Sequence, residues 1–347
     1  MIRTRIAGLG HYLPERILTN AELERMVDTS DQWIRDRTGI RERRIAAPHE
    51  TSSSLAVQAA RMALEDARID PATLDLVLVG TTTPDGVFPS TASIVQDRIG
   101  AVHAGAFDTS AACMGFMSAL ATGFQFIATG ACQRVLVCGT EVLSRIVNWE
   151  DRGTCVLFGD GAGALVLEAA EFGGPLGFVL RSDGSKKDAL FAEGACGPRD
   201  ADGNGPAEVL RYITMDGPAI FKFAVHAMAN ATREALERSR LTVKDVDLLV
   251  PHQANLRIIQ GTAKALGVPM EKAVVTVEKY GNTSSASIPV ALSEAYREGR
   301  LAEGQRLVLC GFGGGLAWGS MLVEYSQTGV TPSAAPGAPA GASARGG

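Results

Sequence analysis

The chain contains no hydrophobic run that approaches the length of a membrane span. Its first residues, Met-Ile-Arg-Thr-Arg-Ile-Ala-Gly-Leu-Gly-His, hold no apolar signal core. A spanning helix needs about 20 consecutive apolar residues, and a secretory signal needs a continuous apolar centre. Membrane insertion and export are therefore not expected, and the cytoplasm is the expected compartment. Zinc-ribbon chemistry is also missing. The six cysteines, at positions 113, 132, 138, 155, 196 and 310, form no Cys-x-x-Cys pair and have no histidine at zinc-finger spacing. No metal site is expected, and in a reducing compartment the thiols are expected to be free. Neither sign of charge dominates. With 33 Lys+Arg against 38 Asp+Glu the net charge is −5, which argues against nucleic-acid or membrane-surface binding as the role of the whole protein. What remains is 46% hydrophobic and 20% charged over 347 residues. That composition is globular, and the length suffices for two ordinary domains or one large one.

The chain repeats itself. Ala63-Leu-Glu-Asp-Ala-Arg68 followed by Asp75-Leu-Val-Leu-Val-Gly80 matches Ala235-Leu-Glu-Arg-Ser-Arg240 followed by Asp247-Leu-Leu-Val-Pro-His252, at an offset of 172 residues. Gln133-Arg-Val-Leu-Val-Cys-Gly139 matches Gln305-Arg-Leu-Val-Leu-Cys-Gly311 at the same offset, and Ala164-Leu-Val-Leu-Glu168 resembles Ser320-Met-Leu-Val-Glu324 at a shorter one. Helical spacing of apolar residues predicts a helix over 53–68. Short apolar runs at 75–80, 134–139 and 306–310 predict buried strands. The apolar stretch 113–130 predicts a deeply buried helix. Alternating strands and helices point to an α/β layer architecture, and the duplication points to two similar halves, 1–172 and 173–327, with a shared site between them. Two stretches stand outside the repeat. Residues 182–207 are Gly-rich and polar, and long for a loop, which suits a cover or a substrate-shaping segment. Residues 328–347 form a Pro/Ala/Gly/Ser tail that has nothing to bury and is expected to be disordered.

Three distant segments carry polar residues that apolar packing would not select. They are Asp108-Thr-Ser-Ala-Ala-Cys113-Met-Gly-Phe116, Val250-Pro-His252-Gln-Ala-Asn255 and Tyr280-Gly-Asn282-Thr-Ser-Ser-Ala-Ser287. Cys113 is expected at a helix N-terminus, where free amides and the helix dipole favour the thiolate, the form that attacks a thioester carbonyl. A buried small hydrophobe is the plainer reading of such a cysteine. His252 ends a strand, where sites gather in α/β folds, although a lone histidine there often only bonds its own loop. Asn282 sits in a Gly/Ser/Thr-rich turn, where asparagine is common for turn chemistry alone. Taken together, a thiol, an imidazole and a carboxamide suit carbon–carbon bond formation on thioesters. Gly311-Phe-Gly-Gly-Gly315 allows close backbone approach with free amides, and it reads as half of an oxyanion hole whose other half is the Cys113 amide. Phosphate cradling is the rival, but the segment lacks Gly-Lys-Ser/Thr and Gly-x-Gly-x-x-Gly. Cys132, Cys138, Cys155 and Cys310 lie in or beside apolar runs and read as structural. Cys196, in a polar loop, receives no role.

The chain resembles the β-ketoacyl-acyl-carrier-protein synthase III family, the initiating condensing enzymes of the thiolase superfamily, over roughly residues 2–325. The resemblance is carried by Asp-Gln-Trp33-Ile-Arg-Asp-Arg37-Thr-Gly-Ile-Arg-Glu-Arg, Ala-Ala-Cys113-x-Gly-Phe, Asp151-Arg152-Gly-Thr, Phe158-Gly-Asp-Gly-Ala-Gly, Pro-His252-Gln-Ala-Asn255-Leu-Arg257, Gly-Asn282-Thr-Ser and Phe312-Gly-Gly-Gly. It implies a thiolase-like fold of layered α-β-α-β-α architecture and a decarboxylative Claisen condensation of a short acyl-CoA with malonyl-acyl-carrier protein. Cys113 would take the acyl group. His252 and Asn282 would stabilise the malonyl enolate, and Phe312 would help expel carbon dioxide. The Cys113 and Gly314 amides would hold the tetrahedral oxyanion. Trp33 would stack on the CoA adenine with Arg152 on its other face, Arg37 would meet CoA phosphate, and Asn255 would meet the pantetheine arm. Arg257 and Lys222 would dock the acidic carrier protein. A homodimer is implied, its partner closing the pocket with Phe88. No cofactor is implied, because acyl-CoA and malonyl-carrier protein are substrates. Residues 35–44, with five arginines beside Asp36 and Glu42, otherwise read as a solvated face. The chain departs from the pattern at Thr109 and Ser110 and at Met114, whose bulk beside the nucleophile bears on primer choice.

Three rivals stand beside this reading. A degradative thiolase needs a cysteine where Gly311 stands, and Cys310 is one residue early, which along a strand turns it to the opposite face. A synthase III relative of secondary metabolism would keep the three polar residues and use an unusual acyl-CoA. A non-catalytic acyl-carrier-binding relative would be expected to lose Cys113 or His252.

Overall fold

A computed structural model describes residues 1–193 and 212–330. Its strands are β1 (Arg3–Tyr12), β2 (Arg16–Thr19), β3 (Glu42–Ile45), β4 (Leu76–Gly80), β5 (Gly105–Thr109), β6 (Arg134–Glu141), β7 (Gly161–Ala170), β8 (Gly174–Ser182), β9 (Leu190–Phe191), β10 (Thr214–Met215), β11 (Leu248–Pro251), β12 (Arg306–Gly313) and β13 (Ala317–Glu324). Two sheets make the frame. One has the order β1-β7-β6-β4-β5 and the other β8-β13-β12-β11. In the first, β4 runs parallel to β5 and β6 while β7 and β1 run antiparallel. The second repeats this pattern with a single parallel bridge, Leu249–Ala273, where the first has β5: β11 and β12 are parallel, and β13 and β8 antiparallel. β4 and β11, and likewise β6 and β12, begin at positions separated by the repeat offset. The duplication read from the sequence is therefore a duplication of sheets.

Helices Gly115–Ala128 and Ser287–Arg297 fill the space between the sheets. Phe116, Leu120 and Phe124 pack there with Leu78 and Val135 of one sheet and Val250 and Leu307 of the other. Truncating either buried phenylalanine to alanine would cost about 3–5 kcal/mol. Helices Ser52–Ala67 and Thr91–Ile99 cover the outer face of the first sheet. Helices Gly217–Arg238 and Leu256–Leu266 cover that of the second. The layering is α-β-α-β-α, as expected.

Local chemistry sets where the site-bearing elements lie. A capping box between Thr51 and Ser54 starts the helix Ser52–Ala67, satisfying amides that would otherwise be unpaired. The helix Gly115–Ala128 crosses the end of β4 at Gly80, where an added Cβ would lie 2.3 Å from the Gly115 carbonyl carbon. Only glycine permits that crossing, and it fixes the height of Cys113 above the sheet.

Several expectations are corrected. The predicted helix over 113–130 is an α-helix over Gly115–Ala128 preceded by a 3-10 turn, Ala112–Met114. Ala112 has φ +47, which is incompatible with a continuous helix. The run 35–44 is not wholly a solvated face. Arg43 is fully buried, donating to the Leu18 and Val156 carbonyls and to Asn20 Oδ1, and burial pushes its pKa down to about 10. The segment expected to be disordered from 328 is held by hydrogen bonds through Gly329. The Gly329 carbonyl accepts the Glu171 and Phe172 amides at 3.2 and 3.0 Å, and the Thr328 hydroxyl donates to Glu303. The remainder of that tail lies outside the described residues. Of the stretch 182–207, a 3-10 turn (Gly184–Ala189) and β9, which pairs with β10, are described. Residues 194–207, Cys196 among them, lie outside.

Candidate active site

Cys113, His252, Asn282 and Phe312 line one cavity of about 510 Å³ together with Trp33 and Arg37. Asn255 and Arg257 line it too. The first four are buried, whereas Arg37 and Arg257 are exposed. The cavity thus runs from a charged mouth to a polar floor. Its floor is assembled from the turn before helix Gly115–Ala128, the end of β11, the turn before helix Ser287–Arg297, and the end of β12. Both sheets and both central helices contribute.

Two side chains hold the segment around His252. The His252 amide donates to the Cys310 carbonyl at 2.7 Å, extending the β11–β12 ladder. Gln253 clamps the loop just beyond the histidine. Its Oε1 accepts the Thr276 and Val277 amides, and its Nε2 donates to the Pro251 and Val274 carbonyls. All four bonds are buried, so the loop carrying the imidazole is rigid. The ring packs edge-on against Phe312, centroids 5.5 Å apart. Its Nδ1 lies 2.6 Å from Ser287 Oγ, which also receives the Gln253 amide at 3.4 Å. Among the described residues the serine hydroxyl has no other acceptor, so it gives its proton to Nδ1. That assigns the imidazole proton to Nε2. Burial pushes the His252 pKa down to about 3. The ring is therefore neutral near neutral pH and acts as a donor from Nε2.

Asn282 is fixed in the same way. Its amide donates to the Leu157 carbonyl at 2.8 Å and its carbonyl receives the Gly159 amide at 3.0 Å. Its Oδ1 accepts the Ser284 amide at 2.8 Å, so Nδ2 is the free end. The site thus offers two neutral N–H donors beside a thiol.

Cys113 departs from expectation. Burial pushes its thiol up to about 12, the Ser284 hydroxyl beside it opposing and the Glu141 charge adding to the rise. Taking the sulfur out of water disfavours its charged form. Gly313 passes so close that a Cβ there would lie 2.7 Å from the Cys113 nitrogen. Met114 does not face the cavity. It is buried in the core and fills the space left by Gly311 and Gly319, so its bulk does not trim the substrate space. Cys310 packs in the outer cluster shared with helix Gly217–Arg238, and burial pushes its thiol up to about 12.

At the mouth the Arg152 guanidinium lies over the Trp33 ring, 5.1 Å from its centroid, and donates to the Asp28 carbonyl at 2.9 Å. A flat base stacking on that face must displace the arginine. Asn255 caps helix Leu256–Leu266 through Oδ1 and donates from Nδ2 to the Arg37 carbonyl at 3.1 Å, thereby tying Arg37 to the cavity wall. The remaining candidates lie off the cavity. Gly314 lies beside Leu190 and Ala112. Lys222 is exposed and borders an adjoining depression with Ile220 and Phe223. Phe88 is 86% exposed in the segment after β4. Leu157, Leu190 and Met215 also line the cavity, though their local sequence gives no sign of it. Glu141, Gln253, Ser284 and Ser287 carry no sequence signature of a site role when taken singly. The Ser-Ser-Ala-Ser run after Asn282 is the available signal for two of them.

The chain is similar to known proteins over most of its length. Residues 107–184 match the family model 3-oxoacyl-[acyl-carrier-protein (ACP)] synthase III, and residues 236–325 match the model of its C-terminal part. The β-ketoacyl-[acyl-carrier-protein] synthase III of Desulfitobacterium hafniense is 52% identical over 331 residues, covering 95% of this chain and 100% of that protein. The crystal structure of 3-oxoacyl-[acyl-carrier-protein] synthase III from Aquifex aeolicus superposes with a TM-score of 0.86 at 47% identity, covering 93% and 100% of the two chains. The priming β-ketosynthase of the R1128 polyketide biosynthetic pathway superposes at 0.85 with 39% identity, covering 93% and 97%. Among the described residues no helix is long and apolar enough to cross a membrane, and no group of three or more His, Cys, Asp or Glu side chains could hold a metal ion.

Proposed function

Because the chain belongs to the 3-oxoacyl-[acyl-carrier-protein] synthase III family, we propose that its central cavity carries out two half-reactions on the residues described above. The protein is an acyltransferase of fatty-acid synthesis, a condensing enzyme that elongates an acyl unit with malonyl-carrier protein. Cys113 attacks the thioester of a short acyl-CoA, and CoA departs. Malonyl-carrier protein then enters and loses carbon dioxide. The His252 Nε2–H and the Asn282 Nδ2–H hydrogen-bond its thioester oxygen, where the enolate charge builds up. Both donors are neutral, so neither forms an ion pair with the malonyl carboxylate before it leaves. Phe312, against the imidazole, crowds that carboxylate. The enolate carbon attacks the acyl-cysteine, and the Cys113 and Gly314 amides take the oxyanion. No bound cofactor is called upon. The observation that carries this reading is the meeting of thiol, imidazole and carboxamide, from three distant segments, on one cavity floor.

At the mouth, Trp33 and Arg152 hold the adenine, Arg37 a phosphate, and Asn255 the edge of the pantetheine channel. Base stacking on an aromatic ring is worth about 1–3 kcal/mol. Trp33→Ala is therefore expected to raise KM for acyl-CoA about ten- to a hundredfold with kcat little changed, in steady-state kinetics. Exposed Arg257 and Lys222 suit an acidic carrier protein. Among the described residues β5 is a free sheet edge carrying exposed Phe107, and Val87 and Phe88 of the segment after β4 are also exposed. Apolar side chains at an open edge favour pairing with a second copy, which would deliver Phe88 to the partner's acyl pocket. The expected compartment remains the cytoplasm.

A second reading concerns only the primer. The likeness to a priming ketosynthase of polyketide synthesis leaves room for a less common acyl-CoA in the same chemistry. Intact-mass measurement after incubation with a panel of acyl-CoAs decides. The expected result is one acyl adduct, mapped to Cys113 and strongest with a short chain. A preference for a long or unusual chain would favour the second reading, and adducts on no cysteine, or on another, would contradict both.

A further inference from the structure

Glu141 ends β6, and its side chain is fully buried. Neutral hydroxyls and one backbone amide surround its carboxyl, and they come from two segments far apart in the chain. Oε2 faces the segment after β4. There it accepts the Thr83 hydroxyl at 2.8 Å, the Thr82 hydroxyl at 3.0 Å and the Thr82 amide at 3.1 Å. That segment is itself anchored. The Thr83 hydroxyl oxygen receives the Val142 amide at 2.9 Å, and the Ser52 hydroxyl donates to the Thr83 carbonyl at 2.6 Å. Oε1 faces the turn between Asn282 and helix Ser287–Arg297, where it accepts the Ser284 and Ser285 hydroxyls at 3.1 and 2.9 Å. A buried polar group is costly unless its bonds are made, and a satisfied buried network fixes one geometry.

The turn that Oε1 holds carries the Asn282 carboxamide. The Ser284 amide donates to Asn282 Oδ1 at 2.8 Å, which leaves Nδ2 as the free end. The χ2 torsion of asparagine is broad and roughly two-fold. Without the Ser284 amide the carboxamide can turn over and present an oxygen where a donor is needed. Ser284 offers that amide from φ +48, a left-handed backbone that a non-glycine residue keeps only where its surroundings enforce it. The single proton of its hydroxyl goes to Glu141. The Ser285 hydroxyl also lies 2.8 Å from the Gly80 carbonyl, so of the two serines Ser284 depends more on the carboxyl. His252, the other donor, is held by Ser287 and the Gln253 clamp, through bonds that do not pass through Glu141.

We propose that Glu141 is a positioning residue for decarboxylation. It ties the Ser284 turn to the anchored segment after β4, and Ser284 aims its amide at Asn282 Oδ1. The carboxamide is thereby locked with its Nδ2–H toward the malonyl thioester oxygen. Glu141 does not line the cavity, so it touches no substrate and acts through Asn282. Binding of malonyl-carrier protein does not depend on this lock. The enolate does, because it needs both donors as its charge builds up.

This role rests on Asn282 being an enolate donor in a protein acylated at Cys113. The test acylates each protein fully with acetyl-CoA, checked by intact mass, and then measures single-turnover release of carbon dioxide from malonyl-carrier protein. Glu141→Ala and Ser284→Ala are each expected to slow release about tenfold at saturation, part of the roughly hundredfold effect of one oxyanion donor. The carrier concentration for half-saturation stays unchanged. A double-mutant cycle then locates the loss. In an Asn282→Ala background either change costs nothing further, whereas in a His252→Ala background the loss of about tenfold remains. A structural defect would act alike in both backgrounds. Release at the wild-type rate in Ser284→Ala, or an equal further loss in both backgrounds, overturns the proposal. Should Glu141→Ala fail to fold, Ser284→Ala carries the same cycle alone. Wild-type protein with no adduct on Cys113, or Asn282→Ala with unimpaired release, would instead overturn the proposed function.

Discussion

Cys113→Ala is expected to abolish acyl transfer from acyl-CoA, with a loss of at least about a thousandfold in condensation and no adduct detectable by intact mass. Covalent catalysis divides one difficult step into two easier ones. Removing the nucleophile leaves only binding and the neutral donors, neither of which supplies a route from CoA to the new carbon–carbon bond. The fold should tolerate the change. Cys113 sits in a short 3-10 turn, and alanine loses one sulfur atom from a cavity wall. Thermal unfolding is therefore expected to stay within a few degrees of wild type. Release of carbon dioxide from malonyl-carrier protein should persist at some level in this variant, because His252 and Asn282 remain in place. Full condensation by Cys113→Ala would place the nucleophile elsewhere. Cys310 is a poor substitute on geometric grounds, since it is buried in the outer cluster.

His252→Ala and Asn282→Ala are expected to show the opposite split. Each should acylate Cys113 normally and lose decarboxylation by about a hundredfold or more, the scale associated with removing one oxyanion donor. The loss falls on kcat, because the donors strengthen as enolate charge appears and contribute little to the ground state. Neutrality of the imidazole makes a pH prediction with a definite sign. Its pKa, pushed down to about 3 by burial, lies below the ordinary value near 6.5. The decarboxylation step should therefore show no loss from His252 protonation as pH falls through that ordinary value. The same shift bears on stability. The unfolded chain takes up a proton on His252 as pH falls below about 6.5 and the folded chain does not, so stability declines over that interval down to the folded pKa.

How much of this was legible in the sequence depends on the range of the interaction. The layered fold was readable because the duplicated segments are local patterns. Each helix–strand word carries its own periodicity, and the constant offset locates β4 with β11 and β6 with β12. The three site residues stood out because each is polar at an otherwise apolar strand end or helix start. The burial of Cys113 was not legible. A helix N-terminus is a local feature, whereas the burial that disfavours the charged sulfur comes from elements far apart in the chain. Arg43 misled for the same reason, because a charge run looks solvated until strands fold over it. Glu141 was hidden inside an apolar strand word, and its neutral cradle is built from two segments more than a hundred residues apart in sequence. Met114 looked like a substrate-shaping residue, but side-chain direction turns it toward the glycines of β12 and β13.

The central claim is that a thiol, an imidazole and a carboxamide serve successive steps of one reaction in one cavity. The most direct measurement acylates wild-type and His252→Ala proteins with the same short acyl-CoA, adds malonyl-carrier protein, and follows the mass of the Cys113 adduct. The account predicts that both proteins gain the acyl group, that wild type then loses it to product, and that His252→Ala keeps it. Disappearance of the adduct at equal rates in the two proteins would contradict the account.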